Sequence, residues 1–546
     1  RVASESWRTR RRFADRRSSP RRRSHREGVR RIRRGNWFFT LHRGRFGTHP
    51  VGRDVVTDKE MFLSTPALGG LALKTCSRFQ VAAILVLAMN NPAHSSKRPN
   101  VVVIVSDDQT YSDFGFMGNK DVLTPQIDRL AAKSARYVNG YVPSSVCRPS
   151  LVSILTGLYP HQHGVYFNHP PPGFSGLTRS RDIGKVQFDE FRKKAATLIR
   201  SVPSLPRRLA AAGYRCLQTG KYWEGHWRNA GFTEGMTTAE PTPDAKYGNK
   251  TLANGDVVAH GNGDHGLSIG RQTMQPIYDF IDDCEDTPFL VWYAPLLPHT
   301  PHDSPEKYYD LYRDRSRIPE HRIPYYAAIS QFDDTVGDLI NFVEARRLTG
   351  NTIFVFVVDN GWEPDARRLR VATKEWDHTK RSKRAPFDYG LRTPILIRWD
   401  GATEPATHSE LVSSVDILPT ILAATKLPRG ATDFPGESLW SSAKGERTVD
   451  SDRAVFGEIY PGDATSLGHP ERDVAHRWIR KGRLKLITTH KHGRDKSWGE
   501  YLEKDALYDV VNDPDESYSL ISDPKFLVQL DVLRRQLDEW WLPEVD

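Results

Sequence analysis

Cysteine and methionine are scarce in this chain of 546 residues, which has four cysteines and five methionines. So few cysteines exclude a small scaffold held together by disulfides. Cys76 lies in a segment that we expect to be removed from the mature protein. Cys216 and Cys284 either pair in an oxidising compartment or stay buried as free thiols.

Apolar runs long enough to cross a membrane are also missing, since a spanning helix needs about 20 apolar residues. The apolar run at 81–89 is shorter, follows Lys74 and Arg78, and precedes small and polar residues at 90–96. This order is typical of a secretory signal. We therefore predict a start at Met61, a signal peptide and linker over 61–97, no membrane span, and a secreted or periplasmic protein.

Lysine is absent from the first 53 residues, which hold 18 arginines and three acidic residues. Residues 1–60 are predicted to be a basic arm that is disordered or not part of the mature protein. The net charge of +11 arises there, because residues 54–546 carry −4. The main domain therefore lacks the basic charge of a nucleic-acid-binding protein, and no nucleic acid partner is expected for it.

Unbroken apolar runs at 101–105 and 352–358 predict strands that are buried on both faces of a parallel sheet. Further strands are predicted at 214–219, 288–295 and 394–398, and helices at 204–212, 324–347 and 414–424. A helix is also predicted after Thr124, with Thr124 as its cap and Pro125 at its first position. The segments 167–205 and 223–270 are interpreted as a surface insertion and a pocket wall.

This alternation predicts an α/β fold, with a large doubly wound, mainly parallel sheet and helices on both faces over 98–445. Residues 446–546, with a strand at 478–488 and a helix near 525–541, are predicted to form a small C-terminal α+β domain.

The two central strands both end in oxygen-bearing side chains, Asp107 and Asp108 after the first and Asp359 and Asn360 after the second. Ligands collect beyond the carboxyl ends of strands in such sheets. Three carboxylates and an amide suit a hard cation, Ca²⁺ in preference to Mg²⁺. The alternative is a pair of ordinary turns, since Asp-Asn-Gly is also turn chemistry.

Cys147 opens the segment Cys-Arg-Pro-Ser-Leu-Val-Ser-Ile-Leu-Thr-Gly over 147–157, in which Pro149 favours a first helical turn. A cysteine at a helix N-terminus is expected to have a lowered thiol pKa. The residues alone leave two interpretations open, a reactive cysteine or anion site, and a half-buried cysteine in a turn.

The same segment resembles the signature Cys-x-Pro-Ser-Arg-x-x-x-Leu-Thr-Gly of the formylglycine-dependent sulfatases, of the alkaline-phosphatase-like superfamily. The resemblance covers roughly 98–525. It also includes both acidic strand ends, the segments Thr219-Gly220-Lys221, Pro298-His299-Thr300-Pro301 and Leu507-Tyr508-Asp509, and Lys383 five residues before Asp388.

The resemblance implies a sulfuric ester hydrolase, with a sulfated small molecule or carbohydrate as substrate. Cys147 would be oxidised to formylglycine by a formylglycine-generating or other sulfatase-maturing enzyme, and its hydrated form would attack sulfur. Asp107, Asp108, Asp359, Asn360 and the modified residue 147 would hold the cation. Lys221 and Lys383 would neutralise the sulfate oxygens, and His299 would protonate the leaving alcohol from a pKa near neutral.

Two positions depart from the family pattern. Leu151 replaces the signature arginine. Arg148 is not an assured substitute, because a residue one position after Cys147 points to a different side of the turn than a residue four positions after it. Trp223 replaces a histidine that relatives use as a base, and we hypothesise that His226, or else Glu224, takes over.

Three functions remain open at this point. The first is a sulfatase acting on carbohydrate, for which Tyr222, Trp223, Trp227 and Trp376 are candidate sugar-stacking residues. The second is a phosphodiesterase or phosphonate monoester hydrolase of the same fold, and the third a non-catalytic binder of sulfated glycans with an unmodified Cys147.

His161 and His163 are expected to pack at the end of the Cys147 helix, with His163 near the sulfate.

Overall fold

The strands predicted from the runs at 101–105 and 352–358 lie side by side at the centre of an eight-stranded sheet. The computed structural model describes residues 98–544, except 244, 261–264, 431, 461–462 and 491–500. The predictions for 1–60 and 61–97, and for Cys76, lie outside the described residues.

Sixteen strands are formed by the described residues. They are β1 (Asn100–Ser106), β2 (Ala135–Tyr141), β3 (Arg215–Gly220), β4 (Glu234–Gly235), β5 (Asn249–Thr251), β6 (Val257–Ala259), β7 (Phe289–Ala294), β8 (Thr352–Val358), β9 (Pro364–Arg370), β10 (Glu375–His378), β11 (Arg392–Arg398), β12 (Ala406–Ser413), β13 (Ala454–Ile459), β14 (His476–Lys481), β15 (Leu484–Thr489) and β16 (Ala506–Asp509).

The α-helices of the same residues range from one turn to six turns. They are Pro125–Ala132, Cys147–Thr156, Pro160–His163, Phe174–Leu177, Lys185–Ala196, Leu205–Ala211, Gln275–Asp283, Glu306–Arg313, Ile323–Ala345, Asp388–Leu391, Ile417–Ala424, Trp440–Ala443, Pro470–Asp473 and Leu527–Trp540. The segment 167–205, predicted as a surface insertion, thus contains a helix whose Phe188 is fully buried.

The large sheet has the strand order β12-β2-β11-β8-β1-β7-β3-β4. All neighbouring pairs are parallel except those of β11, which runs antiparallel to both β2 and β8. The predicted mainly parallel sheet is confirmed.

The core lies on both faces of this sheet. Side chains alternate along β1, so that Val101, Val103 and Val105 enter one apolar cluster and Val102 and Ile104 enter the other. The helices Cys147–Thr156, Leu205–Ala211 and Ile417–Ala424 cover the first face, and Pro125–Ala132, Gln275–Asp283 and Ile323–Ala345 cover the second. Helices on both faces make the sheet doubly wound, as expected.

A second, antiparallel sheet of β13 to β16 forms near the C-terminus. The single strand predicted at 478–488 is wrong, because Gly482, at a positive φ of 54°, lies in the turn that divides it into the hairpin of β14 and β15. Leu533 and Leu537 of the last helix pack on one face of this sheet. Trp478 and Ile487 on the other face pack against Tyr141 and Phe387 of the larger domain.

Candidate active site

Four adjacent strands of the large sheet, β8, β1, β7 and β3, end at the same edge. Ser106 pairs with Val358 in parallel register, so that the loops beginning at Asp107 and Asp359 are neighbours. Lys221 directly follows β3, and His299 follows β7 by five residues. β11 is antiparallel and begins at this edge, which brings the preceding Lys383 segment there as well.

Hydrogen bonds join the two acidic strand ends into one unit. The backbone N–H of Asp108 donates to Asp359 Oδ1 at 3.0 Å, and Asn360 Nδ2 donates to Asp108 Oδ1 at 2.6 Å. Asp108 has a positive φ of 65°, a conformation that is uncommon outside glycine and that recurs at functional sites. The four side chains at positions 107, 108, 359 and 360 therefore lie together, as expected.

Three oxygen atoms of this unit are buried and accept no hydrogen bond, namely Asp107 Oδ2, Asp359 Oδ2 and Asn360 Oδ1. An unpaired buried acceptor costs about 1–3 kcal/mol, and more when it carries charge. A cation with a preference for oxygen ligands would satisfy all three at once. The donor set therefore fits Ca²⁺ or a similar hard ion.

Cys147 lies beside this unit, with its Sγ 3.8 Å from Asp107 Oδ1 and 3.9 Å from Asp108 Oδ1. It is the first residue of its helix, as predicted, and is only 1% exposed. The expected low thiol pKa is wrong, because burial raises the pKa of Cys147 to about 12, which the charges of Lys221 and Lys383 only partly offset. The half-buried turn position is also excluded.

The two lysines approach the acids from different segments. Lys221 Nζ lies 2.7 Å from Asp107 Oδ1, and Lys383 Nζ lies 2.6 Å from Asp108 Oδ2. Burial would lower the pKa of each lysine, but the nearby carboxylates raise both above the usual value. Burial also raises the pKa of Asp107, whereas the charges of Lys383, His299 and Lys221 outweigh burial at Asp108 and lower its pKa.

His299 is the most exposed member of the group, at 22% of its side chain, with Nε2 3.3 Å from Asp108 Oδ2. Its Nδ1 lies 2.5 Å from the carbonyl oxygen of Thr300, which fixes the ring orientation. A pKa near neutral was expected, but burial lowers the pKa of His299 well below the usual value despite the charge of Asp108.

A cavity of about 170 Å³ opens above these groups. Of the four aromatic residues predicted to face it, Trp223 and Trp376 line it, whereas Tyr222 and Trp227 do not. His260 lies in the segment 223–270, which was interpreted as a pocket wall, although it was not singled out there. Other lining residues were missed because nothing in their local sequence marks them: Asn168, His169, Trp362, Arg370, Asp377, His378 and Arg384.

The residues considered as substitutes for the missing arginine and histidine of the family pattern do not line the cavity. Leu151 is packed in the apolar core, and Arg148 is fully buried and pairs with Glu224. His226 is not among the cavity residues, and its Nδ1 accepts a hydrogen bond from the backbone N–H of Arg228 at 3.2 Å. Neither Glu224 nor His226 therefore faces the Cys147 side chain, and the hypothesis that either is the base is not supported by its position.

His161 and His163 hold neighbouring segments together. His163 Nε2 lies 3.1 Å from Ser153 Oγ on the Cys147 helix, and His161 Nδ1 lies 3.0 Å from Glu458 Oε1 on β13. Both pack at the end of that helix, as expected. Neither lines the cavity, so that a place for His163 near the sulfate is not supported.

Comparison with known proteins gives two family matches. Residues 99–427 match the family described as Sulfatase, and residues 376–541 match the family described as N-sulphoglucosamine sulphohydrolase, C-terminal. Arylsulfatase A of Homo sapiens is 26% identical over 495 residues, which cover 83% of this chain and 91% of that protein. An ulvan-active sulfatase of Formosa agariphila is 25% identical, covering 81% and 80%.

N-acetylglucosamine-6-sulfatase of Homo sapiens is 24% identical and covers 73% of this chain and 74% of its own. Among solved structures, Ps i-CgsB superposes with a TM-score of 0.57 at 21% identity, covering 82% of this chain and 94% of that one. BT4656, solved in complex with its substrate D-glucosamine-2-N,6-O-disulfate, gives a TM-score of 0.55 at 18% identity, covering 81% and 97%. These structures share the fold.

Proposed function

Because the chain belongs to the sulfatase family and is a sulfuric ester hydrolase, we propose that it removes sulfate from a carbohydrate by a formylglycine- and metal-dependent reaction. One observation carries this proposal. Three unpaired buried oxygens lie in the acidic unit at the edge of the sheet, and the Cys147 side chain and two buried lysines are in contact with its aspartates.

Asp107, Asp108, Asp359 and Asn360 would hold the cation, for which Ca²⁺ is the better candidate because the set is rich in carboxylates and all ligands are oxygen. A bound divalent ion would polarise the sulfate oxygens and favour the deprotonated form of an adjacent hydroxyl. The three unpaired acceptors support this assignment.

Formylglycine at position 147, in its hydrated form, would supply the oxygen nucleophile. The thiol itself is a poor nucleophile here, since burial keeps its pKa at about 12 and hence the thiolate scarce at pH 7. Conversion requires a formylglycine-generating or other sulfatase-maturing enzyme as a partner. We also propose that the chain works in the periplasm or outside the cell.

Lys221 and Lys383 would donate hydrogen bonds to the sulfate oxygens as negative charge develops on them. Lys221 pairs with Asp107 and Lys383 with Asp108, so that both ammonium groups lie at the acidic unit where the sulfate would bind.

His299 would hold and deliver the proton that the leaving alcohol oxygen needs. Burial lowers the pKa of His299 in the protein alone, and a bound sulfate ester would bring negative charge close to the ring and raise that pKa. Its partial exposure at the mouth of the site fits a group that faces the departing part of the substrate.

A sulfated carbohydrate is the substrate that the relatives support. Their names include ulvan-active sulfatase and N-acetylglucosamine-6-sulfatase, and one solved relative holds a glucosamine disulfate. The aromatic rings of Trp223 and Trp376 on the cavity wall are suited to stacking on a sugar ring.

The test uses the full chain produced together with a sulfatase-maturing enzyme. Hydrolysis of 4-nitrophenyl sulfate and of glucosamine 6-sulfate is compared with that of a phenylphosphonate ester, before and after chelation of metal. We expect sulfate ester hydrolysis that chelation abolishes and calcium restores. Faster cleavage of the phosphonate would favour the phosphonate monoester hydrolase.

The mass of the peptide containing residue 147 is measured in the same preparation. Conversion replaces sulfur and two hydrogens by oxygen, and we expect that lower mass in the active protein. Cys147→Ala should be inactive, and Cys216→Ala, at another buried cysteine, is the matched control. Binding of sulfated glycan without turnover, by a protein in which Cys147 stays unconverted despite the maturing enzyme, would favour the non-catalytic alternative.

A further inference from the structure

Arg148 and Glu224 form an ion pair that is closed off from solvent directly behind the candidate active site. Their side chains are 0% and 1% exposed. Arg148 Nε donates to Glu224 Oε1 at 2.6 Å and Nη2 donates to Oε2 at 2.8 Å, which is the two-pronged geometry that guanidinium and carboxylate groups share.

Each partner is attached directly to a segment of the site. Arg148 immediately follows Cys147 at the start of its helix, and Glu224 immediately follows Trp223 and lies three residues after Lys221. The pair thus links the segment of the nucleophile position to the segment of one sulfate-binding lysine.

Arg148 also binds two further segments, one through its guanidinium group and one through its backbone N–H. Arg148 Nη2 donates to the carbonyl oxygen of Ala195 at 3.0 Å, and the backbone N–H of Arg148 donates to Asn168 Oδ1 at 3.2 Å. The guanidinium also lies over the ring of Phe167, 4.6 Å from its centroid. Asn168, like Trp223, lines the cavity.

A contribution to the free energy of unfolding does not by itself explain why such a pair is buried here. Burial of two charges removes their hydration, and replacing a buried ion pair with apolar residues of similar size is often neutral or stabilising. A geometric role is the better explanation, because the pair fixes two segments that approach from separate strands. Leu151 lies in the apolar core, so that the position of the signature arginine supplies no such link.

From these contacts we infer that Arg148 and Glu224 are positioning residues, which hold residue 147 and Lys221 in the relative placement that sulfate transfer requires. This inference rests on the proposed function. It assigns to Arg148 a role that neither the family match nor the cavity lining gives it, and it removes Glu224 from the candidates for a base.

The experiment replaces both charges at once with Arg148→Met/Glu224→Leu, so that no buried charge is left unpaired. The matched control is Arg398→Met/Asp400→Leu, which removes another two-pronged pair with a buried arginine, at the opposite edge of the sheet. In each protein kcat is expressed per converted residue 147, with conversion measured by peptide mass.

We expect kcat to fall about 10- to 100-fold in the test variant, since displacement of a reacting group by about 1 Å has an effect of this size. KM and the affinity for calcium should change less than kcat, because four of the five expected metal ligands, at positions 107, 108, 359 and 360, lie on other loops. The control should keep the wild-type kcat. A wild-type kcat in the test variant, or an equal loss in the control, would overturn the inference.

A second measurement does not depend on turnover. In protein made without a maturing enzyme, the alkylation rate of the Cys147 thiol by iodoacetamide should rise in the test variant and not in the control. An unchanged rate would count against the inference even if the proposed function failed with every sulfate ester.

If the double variant does not fold, Glu224→Asp tests the positioning role instead. It keeps the charge and shortens the side chain by one methylene, so that the fold is retained while the spacing changes. We expect a reduced kcat, and a wild-type kcat would overturn the inference.

Discussion

Unpaired oxygens at Asp107, Asp359 and Asn360 make the protein's stability depend on what binds between them. A ligand that binds only the folded state raises the free energy of unfolding by an amount that grows with its concentration. Calcium should therefore stabilise the fold as well as serve the reaction.

We expect chelation to lower the melting temperature and added calcium to restore it. Asp359→Asn, which removes one charge, should shrink this calcium response, because affinity follows the number of charged ligands. Asp113→Asn, at a buried aspartate outside the group, is the control. A calcium response that is unchanged in Asp359→Asn would contradict the assignment of Asp359 as a ligand.

His299→Gln should affect substrates according to their leaving group. General acid catalysis contributes about 10²- to 10⁴-fold when the leaving oxygen is basic. We therefore expect a large loss of kcat/KM with a sugar sulfate and a much smaller loss with 4-nitrophenyl sulfate, whose phenolate leaves unaided. Equal losses with both substrates would show that His299 has another role.

Leu151 lies in surroundings that do not suit the arginine found at this position in the family pattern. Its side chain is 4% exposed and lies among apolar residues. Leu151→Arg should lower the free energy of unfolding by about 3–5 kcal/mol, the usual cost of an uncompensated buried charge. Urea denaturation measures this, with Leu151→Met as the volume-conserving control, and equal stability of the two variants would contradict the prediction.

The helix Pro125–Ala132 begins with a cap that comes from another element. Thr124 was expected to cap it, but Asp333 on the helix Ile323–Ala345 accepts hydrogen bonds from the backbone N–H groups of Gln126 and Ile127, at 3.0 and 2.7 Å. Thr124 Oγ1 instead lies 3.1 Å from Asp128 Oδ1. The cap therefore fixes one helix to the other.

This cap should make stability depend on pH. Burial raises the pKa of Asp333 to about 7, above its ordinary value of 3.8. A raised pKa in the folded state means that the contribution of Asp333 is full below about pH 4 and is lost as the pH rises through 7. The stability of the wild type relative to Asp333→Asn should fall from pH 5 to pH 8 in urea denaturation. A constant difference would contradict this.

The strands and long helices could be predicted because their own sequences carry the signal. The unbroken apolar run at 352–358 is β8, and the periodic pattern at 324–347 is the helix Ile323–Ala345. The hairpin of β14 and β15 was missed because its turn at Gly482 interrupts an otherwise continuous strand pattern.

The site could be predicted only where residues lie at strand ends or match the family's motifs, as with Asp107 and Lys383. His169 reaches the cavity from a segment that was interpreted as a surface insertion, because its placement depends on tertiary packing and no local pattern marks it. The direction of the pKa shifts of Cys147 and His299 was also missed, because burial is a property of the whole fold.

The C-terminal domain contributes to the active site of the larger domain through a buried charge network. Lys485 Nζ on β15 lies 2.8 Å from Asp388 Oδ1 and 3.0 Å from Glu516 Oε1. Glu516 Oε2 accepts from the backbone N–H of Asp388 at 2.6 Å, and Arg381 donates to the carbonyl oxygens of Asp515 and Glu516. Lys383 lies between these two anchored positions, 381 and 388.

Glu516→Ala should therefore lower both stability and kcat. It leaves Lys485 and the Asp388 N–H with fewer partners, at a cost of about 3–5 kcal/mol in the free energy of unfolding. Glu516→Gln, which keeps an acceptor for that N–H, should lose less of both. Thermal unfolding and kcat measure the effect, and an unchanged kcat in Glu516→Ala would show that the network does not position Lys383.

The complete burial of the Cys147 helix has a consequence for how the protein is made. Cys147 is 1% exposed and borders only a cavity of about 170 Å³, which is too small to admit another protein. A maturing enzyme of the kind proposed would therefore have to reach Cys147 while the polypeptide is still extended. Chains that fold first would stay permanently unconverted. The yield of converted protein would then depend on the rate of oxidation relative to the rate of folding.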